Sequence, residues 1–250
     1  MSNFITVTGR ANTSAKIIAD SICDGKRITT FELEYPRFVH AEFMTHRLFS
    51  RNAASSRAIP VSRMLELVTE RPATFVHWGK NQAGMQANEE MDEVTRAGAK
   101  EHWRRAALQA SHIAESLSIL GAHKQIVNRL LEPFQMMKVV CTATEWDNFL
   151  YLRNHKDAQP EIHELASVMW EAMKKSTPEE LFPGEWHTPY VDHARRGESA
   201  LCPNELLYCK LDEMGLVTEW LTKEEALIVS ASCCAQVSYR RQDDSLEKAK

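Results

Sequence analysis

An α+β fold is what this sequence predicts, and three stretches carry the expectation. Residues 28–44 (ITTFELEYPRFVHAEFM) are rich in β-branched and aromatic side chains and read as a strand region. Residues 89–120 place Trp103, Ala107, Ala110, Ala114 and Leu117 at three- and four-residue steps. That spacing puts one apolar stripe on a long helix, which Gly121 stops. Residues 136–141 (MMKVVC) are short, apolar and β-branched toward the end, as in a buried strand.

The remaining elements follow in order. Residues 14–22 read as a short helix ended near Asp24-Gly25. Pro36, which cannot donate to a ladder, marks a bulge or an edge position in the strand region. After Ile59-Pro60-Val61 comes a short helix over 62–69, then a loop over 71–88. Within it Trp78-Gly79-Lys80-Asn81-Gln82 suits either a pocket lining or a plain surface loop. A helix over 124–131 presents Arg129 and stops before Pro133. Thr144 reads as the N-cap of a helix starting at Glu145 that carries Asn148 and Arg153. Five residues apart, those two stand about 140° apart round the helix axis. Pro160 opens an amphipathic helix through Lys174, with Ile162, Leu165, Val168, Met169 and Met173 on its buried side. Residues 176–221 are rich in turn formers and read as irregular. Thr222 and Glu225 make a capping-box pattern for a last helix through Ala235, followed by a charged tail.

Composition bounds the function. A chain of 250 residues can bury a sizeable core, and the expectation is one domain over 1–250. With 44% hydrophobic and 26% charged residues it has the make-up of a soluble globular protein. A formal net charge of −4 argues against a general nucleic-acid coat, so an anion site has to be local. No apolar run reaches the length of a membrane span, and the first residues lack the apolar core of a signal peptide, so a cytoplasmic location is expected. The cysteines show no CxxC pair and no metal-ligand spacing with histidine, so no metal site is expected and buried free thiols are the reading.

Chemistry concentrates in residues 45–57 (THRLFSRNAASSR). Three arginines, one histidine, three serines, a threonine and an asparagine occur there with no acid and no glycine. Guanidinium groups are permanently charged planar forks, so an acid-free cluster of this kind suits phosphate. Ser55 and Arg57 stand two apart and point the same way on extended backbone, where both could close on one phosphate. The plainer reading is a solvated basic turn.

His46-Arg47, Ser50, Asn52, Ser55 and Arg57 resemble the signature of the flavin-dependent thymidylate synthases, Arg-His-Arg-x-x-Ser-x-Asn-Glu-x-Ser-x-Arg. Thr45 stands where that family has Arg, and Ala53 where it has Glu. A second block, Asn148-Phe149-Leu150-Tyr151-Leu152-Arg153 followed by Asp157 to Ile162, is similar to the family's later Asn-Phe-Leu-x-Leu-Arg run. A third, residues 231–239 ending Val237-Ser238-Tyr239, resembles a segment the family usually carries near its N-terminus. The order of blocks implies a circular permutation, with 226–250 as the displaced segment. The family's His-x-Ser-Pro-Phe-x-His motif is absent from its expected place, and His187-Thr188-Pro189-Tyr190 is a partial echo of it.

The resemblance implies a central antiparallel sheet packed by several helices, one of them long, and conversion of dUMP to dTMP. It implies FAD as cofactor, methylenetetrahydrofolate and NADPH as co-substrates, and a homotetramer whose sites combine subunits. Residue by residue, it implies that Ser55, Arg57 and Arg129 hold the nucleotide phosphate and that Arg153 is catalytic, polarising the uracil carbonyl edge. His46, Arg47, Asn52, Asn148 and Ser238 would line the flavin. Read without the signature, Arg129 and Arg153 suit surface salt bridges, and His46 a hydrogen-bonded structural histidine. Glu42 occupies the place of a family Gln near the nucleotide. An ionised carboxylate accepts but does not donate, which opens dCMP methylation or hydroxymethylation as a second expectation. A third is a non-catalytic nucleotide- or RNA-binding relative.

Overall fold

The computed structural model describes residues 4–195, 205–239 and 244–249. Its main sheet has the order β1-β2-β3-β5-β4, formed by β1 (Thr6–Thr8), β2 (Ser14–Cys23), β3 (Lys26–Pro36), β4 (Ser50–Ala53) and β5 (Met136–Ala143). Every neighbour in that order is antiparallel, and a short β6 (Glu179–Glu180) joins β2 in parallel. The expected central antiparallel sheet is therefore present.

One face of this sheet makes the core. Phe31, Leu33 and Tyr35 of β3 alternate with Glu32 and Glu34, so the apolar set is fully buried on one side. Against it pack α5 (Asp147–Arg153) through Phe149 and α6 (Pro160–Lys175) through Ile162, Leu165 and Met169. A second cluster joins α2 (Val61–Glu70), α3 (Glu93–Ile119) and α4 (Lys124–Leu130) through Met64, Val68, Ala107, Ala114 and Val127. Trp103 of α3 ties the preceding loop down, its Nε1 donating to Ala73 O at 2.7 Å.

Several expectations need correction. Residues 14–22 form strand β2, not a helix. Asp24 and Gly25 both take positive φ, 49° and 75°, the conformation of a two-residue hairpin turn, and pairing with β3 overrides local helical preference. A bulge between Ile17 and Ala19 buries both Ile17 and Ile18, which hides the two-residue period. Strand β3 stops at Pro36, and the rest of the 28–44 stretch turns helical, as a 3₁₀ turn (Arg37–Val39) and α1 (His40–Phe43). Pro36 lies at the end of an interior strand opposite Met136, neither at a bulge nor on an edge. Thr144 is not an N-cap; α5 starts at Asp147 behind Trp146, without a side-chain cap. The 176–221 region is not irregular throughout. It holds a three-stranded antiparallel sheet of β7 (Asp192–Arg195), β8 (Leu206–Leu211) and β9 (Val217–Leu221). The final helices are α7 (Lys223–Ala235), with the Thr222–Glu225 capping box formed on both sides, and α8 (Leu246–Ala249).

Candidate nucleotide site

The signature stretch leaves the core sheet at Pro36, turns through α1, and returns as edge strand β4. Cα register sets what each residue faces. Arg51 lies opposite Cys141 and points to the core side, while Asn52 lies opposite Val140 on the outer side. Arg51 closes the loop by donating from Nη1 to His46 O and from Nη2 to Met44 O at 3.0 Å. Nothing in the sequence singled Arg51 out from its two neighbours; its role comes from the register.

Three expected residues come together at this loop. Arg153, the last residue of α5, donates from Nε to His46 Nε2 at 3.0 Å and pairs through Nη1 with the Glu42 carboxylate. An acceptor Nε2 requires the neutral imidazole with its proton on Nδ1. Burial, then the positive charges of Arg153 and Arg51, hold His46 below its ordinary pKa. The ring is also wedged between Phe49, stacked at 5.9 Å, and Phe149, edge-on at 4.8 Å. The guanidinium is thus gripped at two of its three nitrogens, and Nη2 makes no hydrogen bond to a described residue.

A second group forms where α7 ends. Asn52 Nδ2 donates to Cys234 O at 2.9 Å and Ala235 O at 3.2 Å, and Ser238 Oγ accepts from Ser55 N at 2.9 Å. The 231–239 segment therefore docks on the signature loop, although it lies about 180 residues away in the chain. Burial pushes the Cys234 thiol up to about 11 and keeps it protonated at neutral pH.

A third group is open. Arg57 and Arg47 are exposed and have no hydrogen bond or ion pair among the described residues. Arg129 is 64% exposed and faces Glu132 at 3.6 Å. The turn carrying Arg57 rests on the helix carrying Arg129, because Asn128 Nδ2 donates to Ser56 O at 2.7 Å and Ile59 O at 3.0 Å. Sequence reasoning passed over Asn128, which sits beside a more conspicuous arginine. Asn148 lies on the exposed first turn of α5 and makes no side-chain hydrogen bond among the described residues.

Beside the loop, a cleft of about 890 Å³ runs between α2 and the outer sheet face. Ile59, Met64 and Phe134 supply apolar wall; Lys138, Arg71 and Ser238 supply polar groups. Of the expected ligand residues, only Ser238 lines it. A further cavity of about 770 Å³, beside β8 and the start of α7, involves none of them. The His187 echo lines neither cavity and is bonded to Ser21 Oγ at 2.9 Å and Thr30 Oγ1 at 2.8 Å on the main sheet.

Comparison with known proteins bears on this geometry. The family model for "Thymidylate synthase complementing protein" matches residues 27–179, from β3 through the signature, α4 and α5. No curated protein gives a significant match. Among solved structures, a UMP/dUMP methylase, PolB, from Streptomyces cacaoi, bound with 5-Br UMP, is similar at 16% identity and a TM-score of 0.53. The likeness covers 68% of this chain and 92% of that one, and it shows a shared fold. No helix among the described residues is long and apolar enough to cross a membrane. With the family model covering well over half its length, the chain belongs to the thymidylate synthase complementing protein family.

Proposed function

We propose that the protein methylates the pyrimidine of dUMP to give dTMP, drawing the carbon from methylenetetrahydrofolate and the reducing power from NADPH through FAD. The observation that carries this reading is the Arg153 guanidinium, held between Glu42 and neutral His46 with Nη2 open. A fixed cation of this kind stabilises negative charge developing on a uracil carbonyl as C5 becomes nucleophilic, and it does so without reorganising. Ser55, Arg57 and Arg129 take the phosphate, with charge-assisted hydrogen bonds of about 1.5–3 kcal/mol each.

One of the residues that the resemblance assigns to flavin, Ser238, lines a cleft that could take it. The cleft of about 890 Å³ lies in the size range of ligand pockets; its wall mixes apolar side chains (Ile59, Met64, Phe134) with charged ones (Glu32, Glu34, Arg71, Lys138) and includes Ser238 and Tyr239. Ser238 would hold it on the cleft wall; His46, Arg47, Asn52 and Asn148 do not line the cleft and would meet a flavin held by a neighbouring copy. When bound, the flavin supplies the hydride that completes the transferred methyl group. The protein's own part is to bind, orient and keep the reacting groups away from water.

The homotetramer in which neighbouring copies complete the site rests on the family likeness; Leu48 (69%) and Tyr151 (80%), close in sequence to His46 and Arg153, are exposed apolar side chains open to a neighbouring copy. The docking of 231–239 on the signature loop supports reading 226–250 as the family's displaced N-terminal segment within one domain.

A second reading rests on Glu42. Its carboxylate beside Arg153 presents an acceptor where an amide could also donate, and the cytosine amino group is a donor. Purified protein supplied with the two co-substrates decides the matter. Formation of dTMP from dUMP, with dCMP inert, supports the first reading. Turnover of dCMP alone replaces it with the second, and a colourless protein that turns over neither ends both. Glu42→Gln should shift the dUMP-to-dCMP ratio toward dUMP, by about tenfold for one altered hydrogen bond.

A further inference from the structure

We propose that Asn128 is a positioning residue for the phosphate cradle: its buried amide fixes the 55–59 turn on α4 so that Arg57 and Arg129 face one anion. The inference rests on the nucleotide reading above and adds a residue to it.

The ladder between the signature and β5 ends with Ala54 N donating to Lys138 O at 2.8 Å. Beyond it the chain makes a turn of its own, with Ala58 N and Ile59 N donating to Ser55 O at 2.9 and 3.3 Å. Nothing in those bonds aims the turn. Asn128 does, since one Nδ2 reaches two carbonyls, Ser56 O and Ile59 O, that flank Arg57. Both carbonyls are drawn toward α4, while the Arg57 side chain stays exposed. Arg129, the next residue of the helix, is also exposed. Lys124, one turn earlier on α4, adds a surface bond from Nζ to Ala58 O at 3.3 Å.

The clamp is itself held. Asn128 is fully buried, and Gln135, 3% exposed, donates from its amide to Asn128 O at 2.9 Å. Gln135 O accepts from Arg37 N at 2.9 Å, where the chain leaves β3. A chain of buried amides thus runs from the end of the core strand to the turn.

The choice of residue is informative. Asparagine offers two donor hydrogens from one neutral atom; Ser and Thr offer one, and Asp none. The Asn128 Oδ1 is buried with no hydrogen-bond partner among the described residues. An amide kept at that cost, in a helix where asparagine is a poor former, is kept for its donor side.

The test compares dUMP with deoxyuridine, which lacks the phosphate, by calorimetric titration of the wild-type protein, Asn128→Ala and Lys124→Ala. Asn128→Ala should weaken dUMP on the order of tenfold, with deoxyuridine affinity and flavin content unchanged. Lys124→Ala, at the surface, should shift dUMP in the same direction by about two- to threefold. A folded Asn128→Ala protein with wild-type dUMP affinity overturns the proposal, as does an equal fall for both ligands. Should that variant not fold, unchanged dUMP affinity in Lys124→Ala overturns it. Wild-type protein that binds no dUMP fails the nucleotide reading itself, a result distinct from wild-type binding that the variants match.

Discussion

The two ends of the signature loop are built in opposite ways. At one end Arg153 is gripped by Glu42 and His46, and His46 is packed between two phenylalanines. At the other end Arg57 has no partner among the described residues, and the exposed Arg129 has a loose one in Glu132. The contrast matches two different tasks. Recognising the edge of a flat base needs a donor already in place, since misplacement by a fraction of a bond length forfeits selectivity. Capturing a dianionic phosphate needs free cations, and guanidiniums already committed to carboxylates would have to break those pairs first. On the proposed reading, the preassembled end sets which base reacts and the open end supplies affinity.

The largest test breaks the preassembled end. Arg153→Ala should lower the rate of dTMP formation by about 10²–10³, the range for removing one preorganised donor to developing charge. It also leaves Glu42 without its cation. If only KM rises and the maximal rate holds, the assignment of Arg153 to the chemistry is wrong.

Acid offers a comparison of similar size between the site and the scaffold. His187 is bonded between Ser21 and Thr30, and burial lowers it from 6.5 to about 4 despite the opposing pull of Asp20 and Glu179. Its folded pKa lies below the unfolded one, so the unfolded chain binds the extra proton. Its stabilisation is fully present above pH 6.5 and is lost as pH falls toward 4, to a total of about 3 kcal/mol. Denaturant melts at pH 7 and pH 4 should show this loss, and His187→Asn should flatten part of the slope. His46 shifts the same way, so acid should also release Arg153 from its imidazole contact.

Breaking the open end should cost less than removing Arg153. Arg57→Ala should weaken dUMP by roughly tenfold to a hundredfold, the equivalent of about 1.5–3 kcal/mol, with flavin content unchanged. Unaltered nucleotide affinity would remove Arg57 from the phosphate site. The smallest effect belongs to the helix that brings Ser238 to the loop. Thr222→Ala removes one side of the α7 capping box and should destabilise by about 1 kcal/mol, read as a lower thermal midpoint with the affinity for dUMP retained.

What the sequence made legible follows the same division. The signature residues, the long helix α3 and the capping box of α7 were readable because local pattern decides them. Strand β2 was not, because Ser14–Cys23 is a strand only by virtue of its partner across the Asp24-Gly25 turn. Strands β7 to β9 are short and set among turn formers, and only their mutual pairing makes them a sheet. Within the site, Glu42, His46 and Arg153 were named separately, but their contact depends on α5 folding back over α1, which no local spacing encodes. Asn128 was invisible for the same reason, since it acts on carbonyls 72 and 69 residues away; Arg51 acts on carbonyls five and seven residues back, but the register that aims it is set by β5.

The most direct measurement is a crystal structure of the protein with dUMP. The account predicts the phosphate against Ser55, Arg57 and Arg129 and the uracil edge against Arg153, within one copy or shared between neighbouring copies. A nucleotide bound on another surface, or a phosphate held without any of those arginines, would contradict it.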